Sequence, residues 1–200
     1  LALAQALSGC APLVVGGAMA ATTMMATDRR SAGTQIDDQN NELKAISAIQ
    51  GAIGERGHVN ATSFNRVVLL TGEVPTEADK AAVAKAVSQI ATVRHLVDEL
   101  AVMPNSSLGT RTNDSISTGK VKSAFVDSKT AFNSVKVVTE RGVVYLMGLV
   151  TEAEANRAVE LARVVGGVVK VVRVFQIITQ AELDAIEFKA STPAAAASAP

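Results

Sequence analysis

An internal repeat constrains the fold of this 200-residue chain more than any other feature. Residues 67–102 read VVLLTGEVPTEADKAAVAKAVSQIATVRHLVDELAV, and residues 143–177 read VVYLMGLVTEAEANRAVELARVVGGVVKVVRVFQI. Valines, a leucine and a glycine recur at the same spacing, and a Thr-Glu-Ala-acidic stretch follows them in both copies. Such self-similarity predicts two tandem copies of one supersecondary unit.

Each copy has the pattern of a small α/β unit. Thr76 and Thr151 are typical N-caps, and the acidic residues after them favour the positive end of a helix dipole. At the end of the first copy, apolar and polar residues alternate, and at the end of the second copy β-branched residues follow one another almost without interruption. Both patterns predict strands. A further helix and strand precede each copy, so the predicted order in each unit is α-β-β-α-β.

The two preceding helices are predicted from apolar spacing. The first is expected at Asn41–Ile53, with one apolar face made by Leu43, Ile46, Ile49 and Ile53. The second is expected at Ser115–Ser128, capped by Asp114, with a core stripe of Val121, Ala124 and Phe125. Each unit has about 60 residues, which is small for independent stability and favours pairing of the two.

The N-terminal stretch LALAQALSGC carries the single cysteine of the chain, Cys10. Leu7-Ser8-Gly9-Cys10 resembles the bacterial lipobox, in which the cysteine sulfur is joined to diacylglycerol and the preceding signal is removed. Acyl chains would anchor the protein, at about 0.8 kcal/mol per buried CH₂. Ala11 then favours export to the outer membrane, with the protein facing the periplasm. The alternative is an incidental structural thiol.

The rest of the chain is divided by composition. The predicted segments are a signal-peptide remnant (1–9), the lipidated cysteine and a flexible tether (10–40), domain 1 (41–103), a linker (104–112), domain 2 (113–180), and a C-terminal extension with a disordered Ala/Pro tail (181–200).

Composition argues against several function classes. The chain has 19 Lys and Arg residues together and 19 Asp and Glu residues together. Its net charge is therefore zero and does not favour binding to nucleic acid. One cysteine excludes an internal disulfide and a cysteine-based zinc site, and two histidines leave little for a metal site or a triad. His58 and His95 lie where strands are predicted to begin and are expected to be surface or edge residues. We therefore expect no enzyme activity, no cofactor and no metal.

The strand order, the sequence LTGEVPTEAD and the valine-rich last strand resemble the BON domain of bacterial envelope proteins, in two copies over residues 41–178. The lipobox and the stretch ATDRRSAGTQIDD, residues 26–38, narrow the resemblance to dual-BON outer-membrane lipoproteins of the DolP group. It implies an α+β fold, in which a three-stranded mixed sheet is packed by two helices in each domain. It also implies binding of anionic phospholipids through domain 2, support of envelope integrity and association with division sites.

A candidate lipid-binding surface lies on the first helix of domain 2. On a helical wheel, the side opposite the core stripe holds five residues: Ile116, Gly119, Lys120, Ser123 and Val126. An exposed isoleucine beside lysine suits a membrane interface, because the apolar side chain enters the acyl boundary and the lysine meets phosphate. The expected lipids are cardiolipin and phosphatidylglycerol. The family pattern has an aromatic residue at the position of Ile116, which implies a weaker anchor in this chain.

Other interpretations remain open at this point. Ile116 can be an isolated surface residue or can pack on the other domain. The corresponding face of domain 1 is expected to be more polar, with Asn41, Lys44 and Glu55 nearby. Basic residues exceed acidic ones by three in residues 113–178, which is a modest bias toward an anionic surface. The alternative function is an adaptor whose domains dock an envelope or division protein.

Overall fold

The computed structural model describes residues 28–128 and 134–191. Cys10 and the predicted signal-peptide remnant lie outside the described residues. Domain 1 contains α1 (Ala32–Ile53), β1 (His58–Phe64), β2 (Val67–Val74), α2 (Glu77–Ser88), β3 (His95–Asp98) and β4 (Ala101–Val102). Domain 2 contains α3 (Leu108–Asp127), β5 (Val135–Glu140), β6 (Val143–Val150), α4 (Glu152–Arg163) and β7 (Lys170–Ile177), and α5 (Gln180–Ser191) follows it.

The two sheets share one topology. In sheet 1, β2 pairs antiparallel with β1 and parallel with both β3 and β4, which together form one interrupted third strand. In sheet 2, β6 pairs antiparallel with β5 and parallel with β7. The predicted α+β fold with a mixed sheet in each domain is therefore confirmed.

The first helix of each domain begins earlier than predicted. α1 begins at Ala32 and α3 at Leu108, so the segments expected to be tether and linker contain their first turns. Ser31 and Ser107 are the N-caps, and their side chains accept hydrogen bonds from the amides of Thr34 and Thr110, both at 3.1 Å. At the C-terminus, the predicted extension (181–200) contains most of α5, which ends at Ser191.

The predicted apolar face of α1 is wrong in its first half. Leu43 and Ile46 are 64% and 59% exposed, whereas Ile49 and Ile53 are buried. The buried stripe of α1 continues toward its N-terminus through Ala45, Asn41 and Asp38. Because its early positions are polar, apolar spacing alone could not locate this stripe.

The two sheets pack against each other. Alternate residues of β2 point to opposite sides: Val68, Leu70 and Val74 join the core beneath α1 and α2, while Val67 and Leu69 join a second core. Tyr145, Met147 and Leu149 of β6 complete that second core from domain 2. The molecule is therefore a four-layer stack, in which both sheets are central and the helices of the two domains lie on opposite outer sides.

Candidate functional site

The five residues predicted to bind lipid lie together on the exposed side of α3. Ile116 is 51% exposed and Val126 is 73% exposed, and the other three, Gly119, Lys120 and Ser123, are exposed as well. We call this set the α3 outer face: Ile116, Gly119, Lys120, Ser123 and Val126. It lies on the side of α3 that is opposite the buried core residues of the helix.

The opposite side of α3 fixes the helix to its sheet. Val121 and Phe125 are buried in the core of domain 2, as predicted, and Ala124 is partly buried. The hydroxyl of Thr118 donates to that of Thr139 on β5 at 2.7 Å. The outer face is thus presented by a helix held at several points along its length.

The sequence predicted Asp114 as the N-cap of α3, and this prediction is wrong. Asp114 lies within the helix and is buried. Its carboxylate accepts hydrogen bonds from the amides of Arg141 and Gly142, both at 2.8 Å, in the turn between β5 and β6. Asp38 of α1 has the same role, accepting from the amides of Asn65 and Arg66 at 2.6 and 2.7 Å. Sequence reasoning missed this pair, although a shared Ser-x-Gly-Thr-x-x-x-Asp spacing from Ser31 and Ser107 could have revealed it.

The turn before β7 packs against the buried side of α3. Gly167 packs so closely against α3 that an added side chain would meet the Ser117 hydroxyl at 3.0 Å. On either side of this glycine, Val164 and Val169 are both 81% exposed, and the neighbouring Arg163 and Lys170 are exposed too. Domain 2 therefore exposes a second group of apolar and cationic side chains around this turn.

Domain 1 also exposes apolar residues, contrary to expectation. Asn41 is buried, and the exposed side of α1 carries Ile36, Leu43, Lys44 and Ile46, which we call the α1 outer face. Its three large apolar side chains are each more than half exposed. Because the helical layers lie on opposite sides of the molecule, one flat membrane cannot contact both outer faces.

The segment before α1 joins the two domains. Arg29 is 7% exposed, and its guanidinium donates to both carboxylate oxygens of Glu154 at 2.7 and 2.8 Å and to the Leu149 carbonyl at 2.8 Å, all in domain 2. Arg30 donates to Asp38 at 2.7 Å and lies 4.1 Å from the ring centroid of Phe64, both in domain 1. The hydrogen bonds from Arg29 are the main cause that lowers the pKa of Glu154.

A group of ionisable residues also crosses the interface between the sheets. Glu73 of β2 is fully buried and accepts from Arg141 at 2.8 Å and from the amide of Ser106 at 3.1 Å. Glu140 of β5 is buried and accepts from Asn60 at 3.1 Å. Burial raises the pKa of Glu140. Burial also acts to raise the pKa of Glu73, but the hydrogen bonds from Arg141 and Ser106 leave it lowered.

The two histidines differ in position. His95 is exposed at the start of β3, as expected. His58 begins β1, an edge strand of sheet 1, as expected, but its side chain is only 22% exposed and lies beside Glu73. Among the residues that the structure describes, no helix is both long and apolar enough to cross a bilayer.

Comparison with known proteins identifies the family. Residues 38–104 and 113–179 each match the BON domain. Outer membrane lipoprotein DolP of Haemophilus influenzae is 40% identical over 173 residues, which cover 85% of this chain and 89% of that protein. The 21 kDa hemolysin of Actinobacillus pleuropneumoniae is 32% identical over 154 residues, which cover 76% of this chain and 79% of that protein.

Among solved structures, CdsD, a structural protein of the type III secretion system of Chlamydia trachomatis, has a TM-score of 0.30 and 14% identity over 74% of this chain and 98% of that one. This likeness is too low to add to the assignment. The two domain matches and the identity along most of the sequence are sufficient. The chain therefore belongs to the BON-domain family and, within it, to the two-domain lipoproteins of the DolP group.

Proposed function

We propose that this chain is an outer-membrane lipoprotein that faces the periplasm, is anchored by acyl chains on Cys10, and binds anionic phospholipids through the α3 outer face. The observation that carries the proposal is the joint exposure of Ile116 and Val126 with Lys120 between them on one side of a fixed helix. The outer-membrane anchoring rests on the relationship to DolP, whose name states that location.

The physical support comes from the match between this surface and a bilayer interface. Two branched apolar side chains, exposed by half or more, lose apolar area when they enter the acyl boundary. Lys120 lies close enough to meet a lipid phosphate, and each such cation contributes about 1 kcal/mol near an anionic leaflet. Arg163, at the end of α4, and Lys170, at the start of β7, are exposed cations of the same domain that can add to this attraction.

The two contacts with the membrane reinforce each other. A single weak site on α3 would bind free vesicles poorly, but an anchored chain keeps α3 at high effective concentration near lipid. Membrane regions rich in cardiolipin or phosphatidylglycerol would then retain the protein. Such retention would localise the protein to division sites and would allow it to support envelope integrity.

A vesicle titration tests the lipid site. The protein is the full chain with Cys10→Ser, which carries no acyl group, and the vesicles are neutral phosphatidylcholine with or without phosphatidylglycerol or cardiolipin. We expect binding to anionic vesicles only, and at least about a tenfold loss with Ile116→Asp plus Lys120→Glu, since an apolar contact and a favourable charge are both reversed.

Domain 1 offers a matched control for this experiment. Leu43→Asp plus Lys44→Glu introduces the same change of charge on the α1 outer face and should leave vesicle binding unchanged. Equal binding to neutral and anionic vesicles would refute the proposal, as would equal losses in the two double variants.

The α1 outer face favours a second candidate function, that of an envelope adaptor. Ile36, Leu43 and Ile46 form an exposed apolar surface that faces away from α3. Crosslinking in cells followed by purification should then recover one dominant envelope protein, and Leu43→Asp plus Lys44→Glu should abolish its recovery. Recovery that persists in this variant would exclude the α1 outer face as the docking surface.

A further inference from the structure

We propose that His58, Glu73 and Glu140 form a binding site for a divalent transition-metal ion, of which Zn²⁺ is the representative, at the interface between the two domains. Each residue offers one ligand atom, and these atoms all lie within 4.8 Å of one another. His58 and Glu73 come from β1 and β2 of domain 1, whereas Glu140 comes from β5 of domain 2. A bound ion would thus be shared by both domains.

The imidazole of His58 provides the first argument. Within the part of the chain that the structure describes, its Nδ1 is a buried side-chain atom with no hydrogen-bond partner. It lies 3.4 Å from Oε2 of Glu73, which is longer than an ordinary hydrogen bond. Two ligands bound to Zn²⁺ at about 2.0–2.1 Å in tetrahedral geometry are about 3.3 Å apart. The distance therefore fits neighbouring ligands of a metal better than a donor and its acceptor.

The donor set and its surroundings provide the second argument. One imidazole nitrogen and two carboxylates are typical zinc ligands. Both carboxylates are already oriented by neighbouring groups, since Arg141 and Ser106 donate to Glu73 and Asn60 donates to Glu140. Arg141 donates to Oε1 of Glu73. Oε2, on the side of His58, accepts the amide of Ser106 and keeps a second lone pair for the ion.

Charge and space are also suitable. Two buried carboxylates face one guanidinium, so the group has an excess of negative charge when His58 is neutral. A cavity of about 290 Å³ adjoins it and is lined by His58, Asn60 and Glu140 together with Arg111, Asp114, Ser115 and Thr118 of α3. This cavity provides a path for an ion and room for a water as fourth ligand.

Isothermal titration with ZnCl₂ tests the site. The protein is the full chain with Cys10→Ser, so that the single thiol cannot bind the metal. We expect one ion per chain, a rise in Tm with added Zn²⁺, and at least tenfold weaker binding in His58→Ala. His95→Ala is the matched control, because it removes the other histidine, which is exposed, and should bind like the parent.

A conservative variant covers the case in which His58→Ala fails to fold. Glu140→Gln keeps the shape and the hydrogen bond from Asn60 but removes a ligand charge, so it should also weaken binding at least tenfold, with folding checked by circular dichroism. Co²⁺ in place of Zn²⁺ should give the visible absorption of a tetrahedral site in the parent alone. Absence of binding by the parent, or unchanged affinity in both variants, would overturn the proposal.

Discussion

At the residue scale, the two buried carboxylates Asp38 and Asp114 determine how each first helix meets its sheet. Each accepts from the two amides at the tip of a hairpin whose turn residues have positive φ, between 49° and 72°. Such two-residue turns match the twist of antiparallel strands but expose their amides at the tip. A carboxylate from the helix satisfies those amides and fixes the position of the helix over the hairpin.

Asp114→Asn should destabilise the protein by about 1–3 kcal/mol, because an amide cannot accept both hydrogen bonds with the strength of a carboxylate. The free energy of unfolding, measured with urea, checks this. Asp127→Asn, at the exposed end of α3, serves as control and should change stability by less than about 0.5 kcal/mol. Equal small effects of the two substitutions would mean that the carboxylate is not needed at the turn.

The same residues explain part of what the sequence could and could not predict. Val121 and Phe125 follow apolar helical spacing and were predicted correctly as core. Asp114 was assigned as a cap because an aspartate before an apolar run usually has that role. Its actual partners are distant in sequence, and hydrogen bonds between distant segments leave no local pattern.

At the element scale, the repeat of α-β-β-α-β predicted the helices and strands but placed the starts of α1 and α3 too late. Their first turns bury Asp38, Asn41, Asp114 and Ser117, so no apolar period is visible there. The two N-cap serines could have located the observed starts of the helices, because Ser31 and Ser107 each begin the same Ser-x-Gly-Thr sequence.

Ser107→Ala should weaken the start of α3 by about 1 kcal/mol, because the amide of Thr110 loses its acceptor. Hydrogen exchange should accelerate in residues 108–112, while amides near Val121 remain protected, since the core holds them. Ser115→Ala, on the exposed side of the same helix, is the control. Uniform acceleration along the whole of α3 would contradict a local capping role.

At the scale of the whole molecule, the four-layer stack was the least predictable feature. All eight residues of β2 are buried, because its two faces belong to different cores. What covers the second face depends on domain 2, and the sequence of one domain does not specify its partner surface. The role of Arg29 and Arg30 in joining the domains was equally hidden, because that segment was interpreted as a tether.

Arg29→Met should destabilise the protein by about 2 kcal/mol at neutral pH, since Glu154 loses a bidentate partner. The folded-state pKa of Glu154 is lowered, so this stabilisation is present above the ordinary value of 4.5 and is lost as pH falls through the folded pKa. Denaturation curves between neutral and acidic pH should therefore show the two proteins converging in acid. A difference that is constant with pH would refute the ionic contribution.

An exposed pair provides the control for this effect. Arg163 and Glu160 lie 3.0 Å apart, but both side chains are more than 60% exposed. Arg163→Met should therefore change stability by less than about 1 kcal/mol at any pH.

If the α3 outer face binds lipid as proposed, the opposed helical layers would also make the protein a spacer of defined height. Adjacent layers of secondary structure lie about 10 Å apart, so three spacings separate the layer of α1 from that of α3 by about 30 Å. With the α3 outer face on lipid headgroups, the α1 outer face would be turned toward the periplasm at that height. Lipid on one side and a protein on the other would not compete for surface, and the rigid contact between the sheets would hold them at a fixed separation.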